Sequence, residues 1–406
     1  VNEVSIDIYS KSYQQNPYPT LTDLRKHDPV HSFTVQRGEY KQESWLISRY
    51  KDVSALFADL RLSKEPTKLM TEEEIKQRAY GEESGYVMNN MLSTDPPDHK
   101  RLRMLVHKVF TPSMIENLRG RITEITNELL DEMEKKEQCD LINDFAFPLP
   151  ITVISEMMGI PAEDRERFRV WSENASNDEF DSKEEFENWQ EYIRDFLDYM
   201  KKLVKIRSEN PQDDIISHLV QAEEDGDKLS EEELYSTLFL LVVAGHETTV
   251  NLIGNGMFAL FQHPEQLTKL KNNQDLMPTA IEEMLRYTNP VEFATFRMAL
   301  EDIDLHDKQI KKGDYIYLSI AGANRDPEFF ENADVFDITR ENNKHLAFGY
   351  GIHFCLGAPL ARLEADIALR ALLNRFPNLA LAVEEKDIRW RNSEIFRGIT
   401  SLPVQK

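Results

Sequence analysis

The stretch Phe348-Gly349-Tyr350-Gly351-Ile352-His353-Phe354-Cys355-Leu356-Gly357-Ala358-Pro359 constrains this chain more than any other, because it sets a cysteine in a glycine-rich turn directly ahead of an amphipathic helix. A sulfur placed there faces free backbone N–H groups and the positive end of the helix dipole, and both favour thiolate. Gly349, Gly351 and Gly357 remove side chains where the backbone must turn sharply or lie against a flat macrocycle. Pro359 suits the first helical turn, where its missing N–H costs nothing. A dinucleotide-binding loop is excluded, since Phe354 stands where the third glycine of that fingerprint belongs. A cysteine peptidase needs a separately placed histidine base, and nothing in the sequence points to one.

The setting of this turn is a large globular chain. Its 406 residues can bury a sizeable core, and 41% hydrophobic with 30% charged residues is the balance of a folded protein. Cys139 and Cys355 form no C-x-x-C pair for zinc or redox chemistry, which suits a cytoplasmic protein with free thiols. The net charge of −24 argues against a nucleic-acid partner. Residues 1–40, broken by Pro17 and Pro19, offer neither a signal peptide nor a membrane anchor. The longest apolar stretch, residues 238–245, falls short of the ~20 residues of a spanning helix, so the expectation is a soluble protein.

Apolar periodicity predicts helices over residues 112–136, 191–209, 230–262, 277–287 and 359–376. Strand-like runs fall at 44–48, 297–298, 315–320 and near the C-terminus, while proline breaks fall at Asp95-Pro96-Pro97, Phe147-Pro148-Leu149-Pro150 and Asn289-Pro290. The acidic segments 70–83 and 174–191 read as solvated surface excursions. No stretch has the composition of a flexible linker, so residues 1–406 are expected to form a single domain.

Inside the predicted helix 230–262 an apolar run is interrupted by Ala244-Gly245-His246-Glu247-Thr248-Thr249. Gly245 costs about 1 kcal/mol of helix propensity, and Thr248 can bond back to a carbonyl one turn earlier, so the pair is expected to open a groove. A carboxyl beside a hydroxyl can pass protons through water. A zinc-peptidase helix is rejected because its second histidine is replaced by Val250.

The cysteine stretch resembles the cytochrome P-450 family, whose signature Phe-Gly-x-Gly-x-His-x-Cys-x-Gly is matched at Phe348, Gly349, Gly351, His353, Cys355 and Gly357. The resemblance implies a mainly α fold with small β-sheets, in which haem b (iron protoporphyrin IX) lies between a long central helix and the cysteine-loop helix. It implies that Cys355 is the axial thiolate on the metal, that His353 bonds a propionate, and that Phe348 and Gly357 belong to the cofactor-binding set. A thiolate ligand pushes electron density onto iron and favours O–O cleavage. The family's Ala/Gly-Gly-x-Asp/Glu-Thr motif is matched from Ala244 to Thr248, which adds Ala244 to the cofactor-binding residues and makes Glu247 and Thr248 the catalytic acid and alcohol. His246 is not part of that motif.

The same resemblance, which spans residues 95–364, implies further roles. Glu283 and Arg286 match the Glu-x-x-Arg pair, with Arg340 as third member, and are read as structural. Spacing alone would not say so, because Glu166/Arg169, Glu191/Arg194 and Glu394/Arg397 share it. His99 and Arg103, four apart on one helix face, and Arg297 match propionate-binding positions. Tyr86, Val87, Met88, Met91, Val291, Phe293, Ala294, Thr295, Ile395 and Phe396 fall in segments that line the family's substrate pocket.

The implied activity is hydroxylation of a lipophilic small molecule by dioxygen and two electrons, with the likeness pointing to soluble bacterial enzymes of secondary metabolism. The substrate classes are polyketide or macrolide, steroid or terpenoid, and fatty acid. No flavin or iron–sulfur motif is present, so electrons are expected from a ferredoxin or flavodoxin with its NAD(P)H reductase, docked on a monomer. Lys100, Arg101, Arg103, Lys108, Lys344 and Arg362 supply a candidate basic docking patch. The rival readings are a peroxide-dependent haem-thiolate peroxygenase and a non-enzymatic haem-binding sensor.

Overall fold

The computed structural model describes residues 7–8, 10–37, 40–71, 75, 85–175, 183–222 and 226–406, and most of the acidic segment 70–83 and residues 176–182 of the second acidic segment lie outside them. It is mainly α-helical with small sheets. The chain divides into two compact units, one of Val1–Leu69, Leu130–Ala146 and Thr248–Lys406, the other of Met70–Leu129 and Phe147–Glu247.

The first unit carries a five-stranded sheet in the order Val30–Arg37, Tyr40–Ile47, Tyr315–Leu318, Arg297–Ala299, Leu62–Ser63. Its pairing is antiparallel except between Tyr40–Ile47 and Tyr315–Leu318, where Leu46 lies opposite Tyr317 and Ile47 opposite Leu318. Successive strand residues point to opposite faces, and here both faces are covered. Ile47, Ile316 and Leu318 enter one apolar cluster with Val53, Leu56 and Phe57, whereas Leu46 and Tyr317 enter another with Tyr13, Leu21 and Phe293. That is why Trp45-Leu46-Ile47 and Tyr315–Leu318 read as unbroken apolar runs.

A smaller sheet places Pro403–Gln405 between Cys139–Asp140 and Ala380–Leu381. Cys139 is buried there, its Sγ 3.4 Å from the Met133 carbonyl, and burial pushes its thiol up from the ordinary value. The helix Met277–Thr288 starts with proline in its first turn and stops at Asn289 in the left-handed region. The helix Ala358–Arg375 follows Gly357 directly and carries Pro359 in its first turn.

The second unit is helical among its described residues. Residues 147–150, expected as a break, instead open the helix Pro148–Met157, because prolines in the first turn remove only N–H groups that a helix start leaves unbonded. The helix Lys183–Glu209 begins well before residue 191, its first turn stabilised by Glu184 and Glu185 against the positive helix end.

The central helix Glu231–Gln262 begins with a reciprocal cap, the Glu233 amide donating to Ser230 Oγ at 3.2 Å and the Ser230 amide to the Glu233 carboxylate at 2.8 Å. It is long and apolar enough to cross a membrane by length and composition, a property that the 238–245 run alone did not reveal. Of its apolar window 67% is buried inside the protein, the pattern of a core helix.

Candidate functional site

In the first unit the cysteine loop is shaped by two glycines in the left-handed region, Gly349 at φ +72° and Gly351 at φ +75°, which a side chain would strain. The turn closes through the Cys355 amide donating to the Phe348 carbonyl at 2.9 Å and the Phe354 amide to the Gly351 carbonyl at 3.1 Å. Cys355 thereby sits two residues ahead of the N-cap Gly357 with its side chain exposed, whereas Ala358 and Leu360 just beyond it are buried. Phe348 and His353 are half-buried in the same loop.

Phe57 carries no sequence signal that would single it out. A Cβ built on Gly351 would lie 3.4 Å from its carbonyl oxygen, and one on Gly349 3.6 Å from its ring. The same ring carries the Arg297 guanidinium carbon 4.8 Å from its centroid, so a single helix end buttresses both the loop and the buried Arg297. Arg297 also donates to the Thr295 carbonyl at 2.9 Å. Lys64 is buried on this side too and donates to the Thr295 hydroxyl.

Behind the loop, Glu282 accepts from Arg362 at 2.6 and 2.8 Å and meets His345 at 3.0 Å. Burial alone would raise this carboxyl, but the Arg362 and His345 contacts hold it down at about 2. Arg362 lies over the Phe348 ring at 4.5 Å, so part of the expected docking charge is already committed to the loop's own support. Arg101, in the second unit, is likewise engaged by Glu233 and Asp227. Lys100, Lys108 and Lys344 remain exposed.

Glu283 is completely buried and receives Arg286 through two bonds of 2.8 Å and Arg340 Nε at 3.0 Å. Arg286 further donates to the carbonyls of Asn324, Ala333 and Val335, and Arg340 to those of Glu331, Asn332 and Val335. The three charges thus tie the helix Met277–Thr288 to the long loop that leads into the cysteine turn. Asn324, in the 323–327 turn, extends this tie by accepting from the Leu346 amide at 2.7 Å.

In the second unit His99 is buried and Arg103 half-buried on the helix Asp98–His107, four residues apart on one face. On the central helix Ala244 is exposed while its flanking turns are largely buried, and Thr248, one turn on, is half-buried. These two residues mark the notch in the helix. Gly245 does not open it: a Cβ there would lie 3.2 Å from Ile154 Cγ1, so its missing side chain lets the helix Pro148–Met157 pack closely instead. Glu247 is buried.

Burial of acids such as Glu364 is not visible in the sequence. Glu364, on the helix Ala358–Arg375, is fully enclosed, and burial pushes its carboxyl up to about 8, eased only in part by the Thr249 hydroxyl beside it. Thr249 follows Thr248 on the central helix. A glutamate one helical repeat into an apolar stripe gives no signal of this kind from sequence alone.

Of the expected pocket segments, the first unit brings two together: the Glu292 amide donates to the Ile395 carbonyl at 2.8 Å, the Arg397 amide donates to the Pro290 carbonyl at 3.0 Å, and Val291 bridges Phe396. Val291, Thr295, Ile395 and Phe396 are half-buried, whereas Phe293 and Ala294 belong to the apolar clusters on either side of the sheet. In the second unit Tyr86, Val87 and Met88 lie on the short helix Gly85–Met88, the first two half-buried and Met88 exposed, and Met91 is buried.

Among the described residues no group of three His, Cys, Asp or Glu side chains is placed to hold a metal ion by itself. An exposed sulfur ahead of a helix, with a buried arginine and a loop histidine in the same unit, is instead the donor set of haem: a soft ligand for iron and cationic partners for its carboxylates. The class defined by this fold and site is the haem-thiolate protein.

The cytochrome P-450 family model matches residues 9–395. The chain is similar to the polyketide biosynthesis cytochrome P-450 PksS of Bacillus subtilis (strain 168), 50% identical over 396 residues, 98% of this chain and 97% of that protein. It is also similar to the cytochrome P-450 monooxygenase PikC of Streptomyces venezuelae, 42% identical over 401 residues, 97% of this chain and 92% of that protein. The solved structure of PksS of the Bacillus subtilis 168 bacillaene polyketide synthase matches with a TM-score of 0.92 at 47% identity, covering 98% of this chain and 99% of that one. This chain therefore belongs to the cytochrome P-450 family, and it is an oxidoreductase of the monooxygenase type.

Proposed function

We propose that the chain hydroxylates a lipophilic small molecule of polyketide or macrolide type, using dioxygen and two electrons delivered by a separate ferredoxin or flavodoxin with its NAD(P)H reductase. Half-identity to a polyketide-pathway monooxygenase over nearly the whole of both chains is the observation that carries this reading. The cofactor read for this chain is haem b, which when bound would activate dioxygen for attack on an unactivated C–H bond. Cys355 contributes its sulfur from the glycine turn, and His353, Arg297, His99 and Arg103 hold the carboxylates. Glu247 and Thr248 move protons, the carboxyl giving up a proton at its oxygen and the Thr248 hydroxyl passing one on. Val291, Ile395 and Phe396 in the first unit, with Thr295 beside them, and Tyr86, Val87, Met88 and Met91 in the second are the candidate substrate-contacting side chains, mostly apolar or aromatic as a lipophilic ligand requires. The enzyme works in the cytoplasm as one functional domain.

The adjacent acid and alcohol favour dioxygen over peroxide as oxidant, because peroxide already carries the protons they would supply. The test is reconstitution with a ferredoxin, its reductase and NADPH, after a panel of polyketides, steroids and fatty acids has been scored for spin-state change. A polyketide giving both the strongest spectral shift and a hydroxylated product is expected. Turnover with peroxide but none with dioxygen and the electron carrier would overturn the reading, and so would an imidazole-type spectrum for the reduced carbon monoxide complex.

A further inference from the structure

The two pocket segments of the first unit meet along one short pairing, in which Val291 lies opposite Phe396 between the Glu292-to-Ile395 and Arg397-to-Pro290 amide bonds. Successive residues of an extended segment point to opposite faces. Val291 and Phe396 therefore share one face, while Glu292 and Arg397 share the other as diagonal neighbours within reach of long side chains. The first face is half-buried. The second is enclosed, with Glu292 2% and Arg397 4% exposed. A pairing held by two bonds has little grip on its own register, so the groups on its buried face decide it.

Arg397 is held from several sides. Its Nη1 donates to the Gln14 carbonyl at 2.9 Å and lies 3.9 Å from Glu292 Oε2, and its Nη2 donates to the Gln15 carbonyl at 3.4 Å, at the end of the helix Lys11–Gln15. The guanidinium carbon lies 3.9 Å from the Trp390 ring centroid and 5.4 Å from that of Tyr18. The Arg397 carbonyl accepts from Asn255 Nδ2 at 2.7 Å, which pins the backbone to the central helix. Tyr13, buried on the same short N-terminal helix, turns its hydroxyl toward the Glu292 carboxyl. Because Gln14 and Gln15 offer neutral carbonyls, the tie holds whether that carboxyl is charged or not. A buried pair of this kind adds little stability over apolar residues of the same size; what it does best is select one register.

We propose that Glu292 and Arg397 are specificity-determining positioning residues: by fixing the pairing of residues 290–292 with 395–397 they set where Val291 and Phe396 stand against a bulky lipophilic substrate. This rests on the reading of Val291 and Phe396 as substrate contacts.

The experiment uses the haem-loaded enzyme and two iron-binding probes followed by absorbance titration: imidazole, too small to press on a pocket wall, and clotrimazole, the same ligand on a bulky apolar body. The ratio of their dissociation constants reads the wall and is insensitive to the amount of folded protein. Glu292→Leu and Arg397→Lys should each weaken clotrimazole about tenfold and leave imidazole within about twofold of wild type. The double variant Glu292→Leu/Arg397→Met replaces the pair by apolar side chains, so it should regain the unfolding temperature lost in Glu292→Leu while its probe ratio stays displaced. It carries the test if a single variant fails to bind haem. Val291→Ala and Phe396→Ala probe the wall directly. A wild-type ratio in the Glu292 and Arg397 variants, beside a shifted ratio in Val291→Ala or Phe396→Ala, would overturn the proposal and leave the substrate contacts standing. A double variant that regained the wild-type ratio would reduce the pair to packing and overturn it as well. An unchanged ratio in both Val291→Ala and Phe396→Ala would remove the substrate contacts, and the proposal with them.

Discussion

Arg286 meets Glu283 side-on, its Nε and Nη2 each donating to one carboxylate oxygen at 2.8 Å, and neither side chain reaches solvent. Such a pair matters less for what it adds than for what its removal exposes. Glu283→Ala strands the buried Arg286 and deprives Arg340 of its carboxylate, so a loss of about 3–5 kcal/mol in denaturant unfolding is expected. A loss under about 1 kcal/mol would show that water or another acid takes over.

Glycine replacement separates backbone strain from loop geometry. Gly313, at φ +93° with nothing near its missing side chain, and Gly351, at φ +75° against Phe57, should each lose about 1 kcal/mol of stability as alanine. Only Gly351→Ala should reduce the fraction of protein showing the thiolate type of carbon monoxide spectrum. Equal spectra for both would mean that the turn tolerates a Cβ.

The two faces of the site are expected to fail in different ways. Cys355→Ser should abolish oxygenation and the thiolate spectrum together. Thr248→Ala should keep haem bound and divert reducing equivalents to peroxide, measured as peroxide released per NADPH. A fully coupled Thr248→Ala enzyme would refute the relay while leaving the sulfur assignment intact.

Glu364 makes stability depend on pH in a direction opposite to ordinary acid unfolding. Its carboxyl is held up to about 8 in the folded chain against an ordinary 4.5, so between these values the folded state keeps a proton that the unfolded state has released. Stability therefore falls as pH rises through this window, by about 4 kcal/mol at most near pH 7.5. Glu364→Gln should raise the unfolding temperature at pH 8 and leave it nearly unchanged at pH 4.5. A gain that is the same at both values would count against a buried neutral acid.

Reversing the charge of Lys100 and Lys108, both exposed, should slow reduction by a ferredoxin and flatten its salt dependence. Stopped-flow reduction at two ionic strengths decides it, and unchanged kinetics would move the docking surface elsewhere.

The cysteine turn and the central helix were legible because each joins unusual residue types at fixed short spacing, and the structure sets Gly349, Gly351 and Pro359 in the conformations those residues favour. Glu283, Arg286 and Arg340 were readable only through family resemblance, since their spacing recurs in ordinary helices. What stayed hidden was set by tertiary packing. Phe57 gained its place from the approach of Arg297, Glu364 its altered acidity from enclosure, and Gly245 its close contact from Ile154. The proline pair at 148 and 150 misled because a break and a helix start use the same residue, and the neighbouring apolar turn decides between them.

Cys139 is enclosed under the C-terminal strand and its thiol is pushed away from reactivity, whereas Cys355 is exposed. The chain thus offers chemistry a single addressable sulfur. In protein prepared without haem, a maleimide dye or a mercurial should mark that one position. The label incorporated would count unassembled molecules, a built-in gauge of cofactor loading that needs neither substrate nor electron donor.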